Sequence, residues 1–183
     1  AGGDFYFKDW HAERAKSMSL LLQKGAHDID VIHWLAGGYT RRVSGIGDLA
    51  VYGDITDRRD NSDRLMRDWY DADIWPPTAQ KELNPVIDVE DISMIQMTLD
   101  NGVLASYQQC HFTPDYFRNY TVIGDAGRIE NMGDGGGDQI HLWESRRSGP
   151  GRPDAVEVIA RADGDHGGAD PSLFYISDWN EIR

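Results

Sequence analysis

The segment richest in groups able to do chemistry is Gln23-Lys24-Gly25-Ala26-His27-Asp28-Ile29-Asp30. On a helix Gln23 and His27 lie four apart and Lys24 and His27 three apart, so all three can point into one cleft. Lysine and histidine both carry protons near neutral pH once burial or a neighbour adjusts them. The same spacing also fits a blander arrangement, with Lys24 and Asp28 paired at the surface and His27 packed in a core. The run His27-Asp28-x-Asp30 has half the look of a metal site. Asp28 and Asp30 are two apart, however, and face different ways on a helix, so no metal is expected.

The elements that must position these groups follow from periodicity. Leu20, Gln23, His27, Asp30 or Val31, and Trp34 recur at helical spacing, which predicts a helix from Ser17 or Ser19 to Ala36, stopped by Gly37-Gly38. Gly25 falls inside it, at a cost of ~1 kcal/mol relative to alanine. A glycine there suits close approach of another backbone or a ligand. Period-two alternation then predicts a strand over Val43–Val51. Residues 53–85 read as a long polar excursion with a short helix at best. A hairpin follows, Ile92–Leu99 and Val103–His111, turned by Asp100-Asn101-Gly102. Further strands are expected over Arg118–Ile123, Arg128–Asn131, Gln139–Glu144 and Ala155–Arg161, joined by short turns. Asp170-Pro171 has the form of a helix start. The expected class is α+β: an open, mostly antiparallel sheet of five to seven strands with helices on one face.

Composition narrows the function. The chain has 183 residues, enough for one domain, and 18 Lys+Arg against 31 Asp+Glu give a net charge of −13. That surplus repels phosphate backbones, so nucleic acid is not an expected partner. No apolar run approaches the ~18 residues of a membrane span. The single cysteine, Cys110, permits no intrachain disulfide, which fits a reducing, cytoplasmic setting. Cys110 has no nucleophile signature and no Gly-x-Ser-x-Gly elbow is present. The glycines of Gly133–Gly137 lack the strand-and-helix context of a dinucleotide loop. Both ends, at Ala1 and Arg183, read as cuts in a longer protein.

Several segments together resemble one family. Gly25-Ala26-His27-Asp28-Ile29-Asp30-Val31-Ile32-His33-Trp34-Leu35-Ala36-Gly37 is similar to the "G-x-H-x-x-D-x-x-x-W-L-x-G" segment of the glucose–fructose oxidoreductase / inositol dehydrogenase (Gfo/Idh/MocA) family. Val89-Glu90-Asp91 before a strand ending in Asp100-Asn101-Gly102, the run Val122-Ile123-Gly124-Asp125-Ala126-Gly127-Arg128-Ile129-Glu130, and His166-Gly167-Gly168-Ala169-Asp170 agree in order. The resemblance implies a two-domain protein: a Rossmann domain holding NAD or NADP, and an α+β domain holding substrate and packing through its sheet against a second subunit. Residues 1–183 correspond to the second domain, without the Rossmann fingerprint, and alone are expected to be inactive.

The implied reaction moves a hydride between NAD(P) and a sugar, cyclitol or related alcohol while a side chain handles the hydroxyl proton. By the same resemblance His27 and Lys24 are the expected catalytic residues. Gln23, His111, Asp115, Arg118 and His166 are expected to contact substrate, and Gly25 lies toward the cofactor. Gln23 stands where many members carry Asp, so Lys24 takes over the proton or His27 works alone. Two alternatives remain, an NAD-dependent glycosidase of the same family and a non-catalytic dimerisation module.

Overall fold

The computed structural model describes residues 3–146, 149 and 151–161. The chain divides into two compact units, Ala1–Tyr116 and Phe117–Arg183. The class is α+β, as expected, with the strands distributed between two open antiparallel sheets.

The first unit is built on a three-stranded sheet, β1 (Thr40–Asp48), β2 (Ile92–Leu99) and β3 (Leu104–Cys110), in that order. Both pairings are antiparallel, and the β2–β3 hairpin sets Ile95 opposite Tyr107 and Met97 opposite Ala105. Its turn works because Gly102 adopts a positive φ of 89°. The period of two puts Ile95, Met97 and Leu99 on one face of β2, where they are buried. Ile29, Ile32 and Ala36 of a helix, α3 (Ala26–Ala36), cover them together with Leu21. Gly37 ends that helix in the left-handed region, its N–H donating to the His33 carbonyl at 2.9 Å. The opposite sheet face is open, with Ile46 and Leu104 at 74% and 78% exposure.

A second core joins the N-terminal segment to the long excursion. Two short helices, α1 (Gly3–Tyr6) and α2 (Arg14–Ser17), flank a 3-10 turn at Trp10–Ala12. Phe7, Ala12, Leu20, Tyr52, Leu83 and Val89 are buried together, and the Phe7 and Tyr52 rings stack 4.2 Å apart. Residue 3 has to be glycine, since a Cβ there would collide with the His111 carbonyl oxygen. The excursion holds only 3-10 turns, at Tyr52–Asp54, Met66–Asp68 and Pro77–Ala79. Asp91 ties its start to the sheet. Fully buried, its carboxylate accepts from the backbone N–H groups of Ala50, Val51 and Tyr52 at 2.8, 2.8 and 2.9 Å. This capture ends β1 at Asp48, three residues before the predicted strand end at Val51.

The predicted helix over 17–36 is corrected in one respect. Residues Leu21–Gly25 form a π turn just before α3. The covered side runs through Leu21, Gly25, Ile29, Ile32 and Ala36, at ordinary helical spacing. Trp34, assigned by helical spacing to the face of His27, is 80% exposed.

The second unit is a meander of β4 (Thr121–Ile123), β5 (Arg128–Met132), β6 (Gln139–Trp143) and β7 (Ala155–Val158), all antiparallel neighbours. The Arg128 guanidinium lies 3.8 Å from the centre of the buried Trp143 ring. The Asn131 side chain fastens the chain before β4, donating to the Arg118 carbonyl at 2.6 Å and the Gly133 carbonyl at 2.8 Å. The strand predicted over Arg118–Ile123 is therefore only its last three residues. The helix expected from Asp170, and His166, lie outside the described residues. Among the described residues no helix is long and apolar enough to cross a membrane, and no group of His, Cys, Asp and Glu could hold a metal.

Candidate functional site

The π turn carries Gln23 and Lys24, two of the residues singled out by spacing, together with Gly25. Such turns insert one residue into a helix and recur at functional sites. Gly25 is buried against β3. A Cβ there would lie 3.0 Å from Tyr107 Cε1, 3.1 Å from Gln109 Oε1 and 2.9 Å from Leu21 Cδ1. The close approach expected at this glycine is thus an approach to the strand. It lowers the π turn until Lys24 reaches the end of β3, where Lys24 Nζ sits 4.8 Å from the centre of the Tyr6 ring.

His111 follows β3 directly, and its ring meets Tyr6 edge-on at 5.5 Å. It is 8% exposed. Burial, reinforced by the positive charge of Lys24, lowers its pKa to about 4, so the imidazole is neutral at physiological pH. A neutral imidazole beside an ammonium offers one hydrogen-bond acceptor and one donor to a hydroxylated ligand.

Behind the ring runs a line of polar groups. His111 Nε2 lies 2.5 Å from one end of the Gln109 amide. The other end lies 3.0 Å from the Tyr107 hydroxyl, which lies 3.0 Å from Asp28 Oδ2 on α3. Tyr107, Gln109 and His111 share one face through the period of two, and Asp28 reaches them from the helix.

The structure therefore brings Lys24, Gly25 and His111 together. Gln23 points back along the chain, its amide donating to the Ser17 carbonyl at 3.4 Å. His27, in the first turn of α3, is exposed, as is Asp115, whose carbonyl accepts from the Thr113 hydroxyl at 2.9 Å. Arg118 belongs to the second unit. Sequence reasoning missed Tyr6, Tyr107 and Gln109. The alternation Tyr107-x-Gln109-x-His111 was a usable signal for two of them, whereas nothing local marks Tyr6. A concavity of about 640 Å³ lies elsewhere, on the open sheet face between Arg42, Ser44, Gln96, Thr98, Leu104 and Ser106. It is shallow and has no buried titratable group, so the chemistry is better sought at Lys24 and His111.

A helix packed on one face of a small antiparallel sheet, with a cation and a neutral histidine at the strand end, defines an α+β domain. Residues 2–130 match the family model described as the GFO/IDH/MocA C-terminal domain, and the chain belongs to that family. Among solved structures it is similar to a levoglucosan dehydrogenase in complex with NADH and levoglucosan, at 15% identity and a TM-score of 0.55. That likeness covers 82% of this chain and 34% of the other. An oxidoreductase domain protein from Kribbella flavida is also similar, at 17% identity and a TM-score of 0.50, over 82% of this chain and 35% of the other. The chain thus spans about a third of the length of these two structures, and at these identities the likeness is one of fold. No curated protein matches it.

Proposed function

We propose that the chain is the substrate domain of an oxidoreductase that moves a hydride between NAD or NADP and a sugar, cyclitol or related alcohol. The observation that carries this reading is the pairing of Lys24, on a π turn, with a neutral, buried His111 in a chain of this family. The dinucleotide belongs mainly to a partner domain, since no Gly-x-Gly-x-x-Gly turn occurs in these residues. When bound, the nicotinamide supplies the carbon that exchanges hydride with the alcohol carbon.

This chain's own residues hold the alcohol and its proton. As a carbonyl is reduced the Lys24 ammonium gives its proton to the oxygen, and the amine so formed takes a hydroxyl proton when an alcohol is oxidised. His111 holds a neighbouring hydroxyl. His27 reaches the same substrate from the exposed side of α3, with Gln23 and Asp115 completing the contacts. A carbohydrate-like ligand suits this set of donors and acceptors, and the setting is cytoplasmic, in keeping with the lone Cys110.

The test is turnover of the full-length enzyme on a panel of sugars and cyclitols, followed by NAD(P)H absorbance. Lys24→Met is expected to lower kcat ~10²–10⁴-fold, and His27→Ala to act chiefly on KM. Unchanged kcat in Lys24→Met refutes the proton role, and a large kcat loss in His27→Ala transfers it to His27. Hydrolysis of a glycoside without net change in the cofactor would establish the glycosidase alternative instead.

A second reading concerns assembly and is favoured by one observation. The sheet face opposite α3 leaves Ile46, Met94 and Leu104 uncovered. We propose that a second copy of the chain packs there. Sedimentation of Leu104→Glu should show a smaller species than the parent protein.

A further inference from the structure

One exposed aromatic near the site is held in place by a buried neighbour. Trp10 is 44% exposed, and a single exposed apolar side chain is ordinary. Its indole, however, lies flat on the His11 ring, with centres 3.8 Å apart and planes 24° apart. His11 is 7% exposed and is held at both backbone and ring. Asp9 Oδ1 accepts from its backbone N–H at 2.9 Å and lies 2.7 Å from its Nδ1, and its carbonyl accepts from the Ser17 hydroxyl at 2.9 Å. One indole face thus rests on a fixed support, so the exposed area belongs to the other face and the edge. Trp10 Nε1 and His11 Nε2 have no hydrogen-bond partner among the described residues. Tyr6 joins these rings to the site. Its ring meets His11 at 5.2 Å and His111 at 5.5 Å, edge-on in both cases, and Lys24 Nζ sits 4.8 Å from its centre. Trp10 and His11 therefore lie one aromatic ring removed from the Lys24–His111 pair.

A pyranose carries C–H bonds on its faces and hydroxyls around its rim. The weakly positive C–H hydrogens suit the negative face of an indole, and the rim hydroxyls suit a ring nitrogen and an indole N–H beside it. A purely apolar partner would cover both nitrogens without pairing them. We propose that Trp10 and His11 form a subsite for a second sugar ring, so that the substrate is a disaccharide or other glycoside rather than a free monosaccharide. Lys24 and His111 hold the ring that exchanges hydride, and Trp10 supports the ring attached to it. The substrate half of this statement rests on the substrate-domain reading above; the binding half does not.

The test separates the two halves. ¹H–¹⁵N spectra of the ¹⁵N-tryptophan-labelled full-length protein follow the Trp10 indole N–H, assigned as the signal lost in Trp10→Phe. Maltose, cellobiose, lactose and trehalose are titrated in, beside glucose, galactose and myo-inositol. At least one disaccharide should shift the Trp10 indole, and the single-ring compounds should leave it in place. Trp10→Ala should raise KM for that disaccharide about tenfold, with kcat little changed and KM for single rings within about twofold of the parent. Trp10→Phe, which keeps an aromatic face, should recover most of the loss. A merely structural role would raise KM for one ring and two alike. That result, or no indole shift with any disaccharide, overturns the subsite whatever the activity. An indole shift with no NAD(P)H formed from any sugar keeps the subsite and refutes the oxidoreductase reading.

Discussion

His111 makes the stability of the first unit depend on pH in a calculable way. Its pKa falls from the ordinary 6.5 to about 4, chiefly through burial and secondarily through Lys24. Between those values the folded chain binds fewer protons than the unfolded one, so stability rises with pH across the window. The stabilisation is complete above about pH 6.5 and is lost as pH falls toward about 4. At ~1.4 kcal/mol per pH unit the loss comes to about 3 kcal/mol, a large part of a domain's ~5–15 kcal/mol. The groups facing the ring do not relieve it. Lys24 on the π turn opposes a second cation, Tyr6 of α1 presents a ring edge-on, and Gln109 is uncharged. The assay is urea unfolding of the full-length protein at steps from about pH 7 to about pH 4, beside His111→Gln, which does not titrate. Asp4, whose buried carboxyl also titrates, is common to both proteins and cancels in the difference. The parent should lose about 3 kcal/mol more than the variant across this range. Parallel curves would mean that His111 protonates freely when folded, and would refute the claim that it is held neutral.

Three other substitutions test separate parts of the structure. Asp91→Ala leaves the N–H groups of Ala50, Val51 and Tyr52 without their buried acceptor and should cost about 3–5 kcal/mol in urea unfolding. Gly25→Ala gains ~1 kcal/mol of helix preference but forces a Cβ to 3.0 Å from a Tyr107 ring that cannot step aside. Overpacking at ~1–3 kcal/mol outweighs that gain, so a lower urea midpoint is expected. Arg128→Leu removes the cation from the Trp143 face and the 3.1 Å pair with Glu130. It should cost the second unit about 1–2 kcal/mol, read as faster amide exchange in β5 and β6.

Strands and turns were legible because their signals are local. Alternation along Ile92–Leu99, the Asn101-Gly102 turn and the glycine stop at Gly37 each depend on a few neighbouring residues, and each is where it was expected. The π turn was not legible because tertiary contact decides it. Gly25 seats on Tyr107 and Gln109, over eighty positions away, and no spacing rule for an ordinary helix anticipates the inserted residue. The site was legible only in part for a related reason. Lys24 and His111 stood out as residue types. Their setting depends on Tyr6, brought in by an N-terminal segment that packs through Phe7 and Tyr52. Asp91 was visible within Val89-Glu90-Asp91, but its work, capping three amides of a distant turn, was not.

His111 is held from its backbone as well as from its ring. Its carbonyl oxygen lies 2.9 Å from the Tyr52 hydroxyl, which also contacts Asp4 Oδ1. A carbonyl only accepts, so the single phenol proton can serve His111 only if Asp4 brings a proton of its own to the phenol oxygen. Burial raises the Asp4 carboxyl above its usual range, against the lowering effect of its bonds with Tyr52 and Gln80, and so favours that protonated form. The Tyr52 phenol is itself pushed far up, first by burial and then by Asp4, and keeps its proton. The carbonyl side of His111 is thus fastened by the Tyr52 phenol, which Asp4 also contacts, and the ring side meets the Gln109 amide. A histidine held at both its carbonyl and its ring keeps its ring plane fixed.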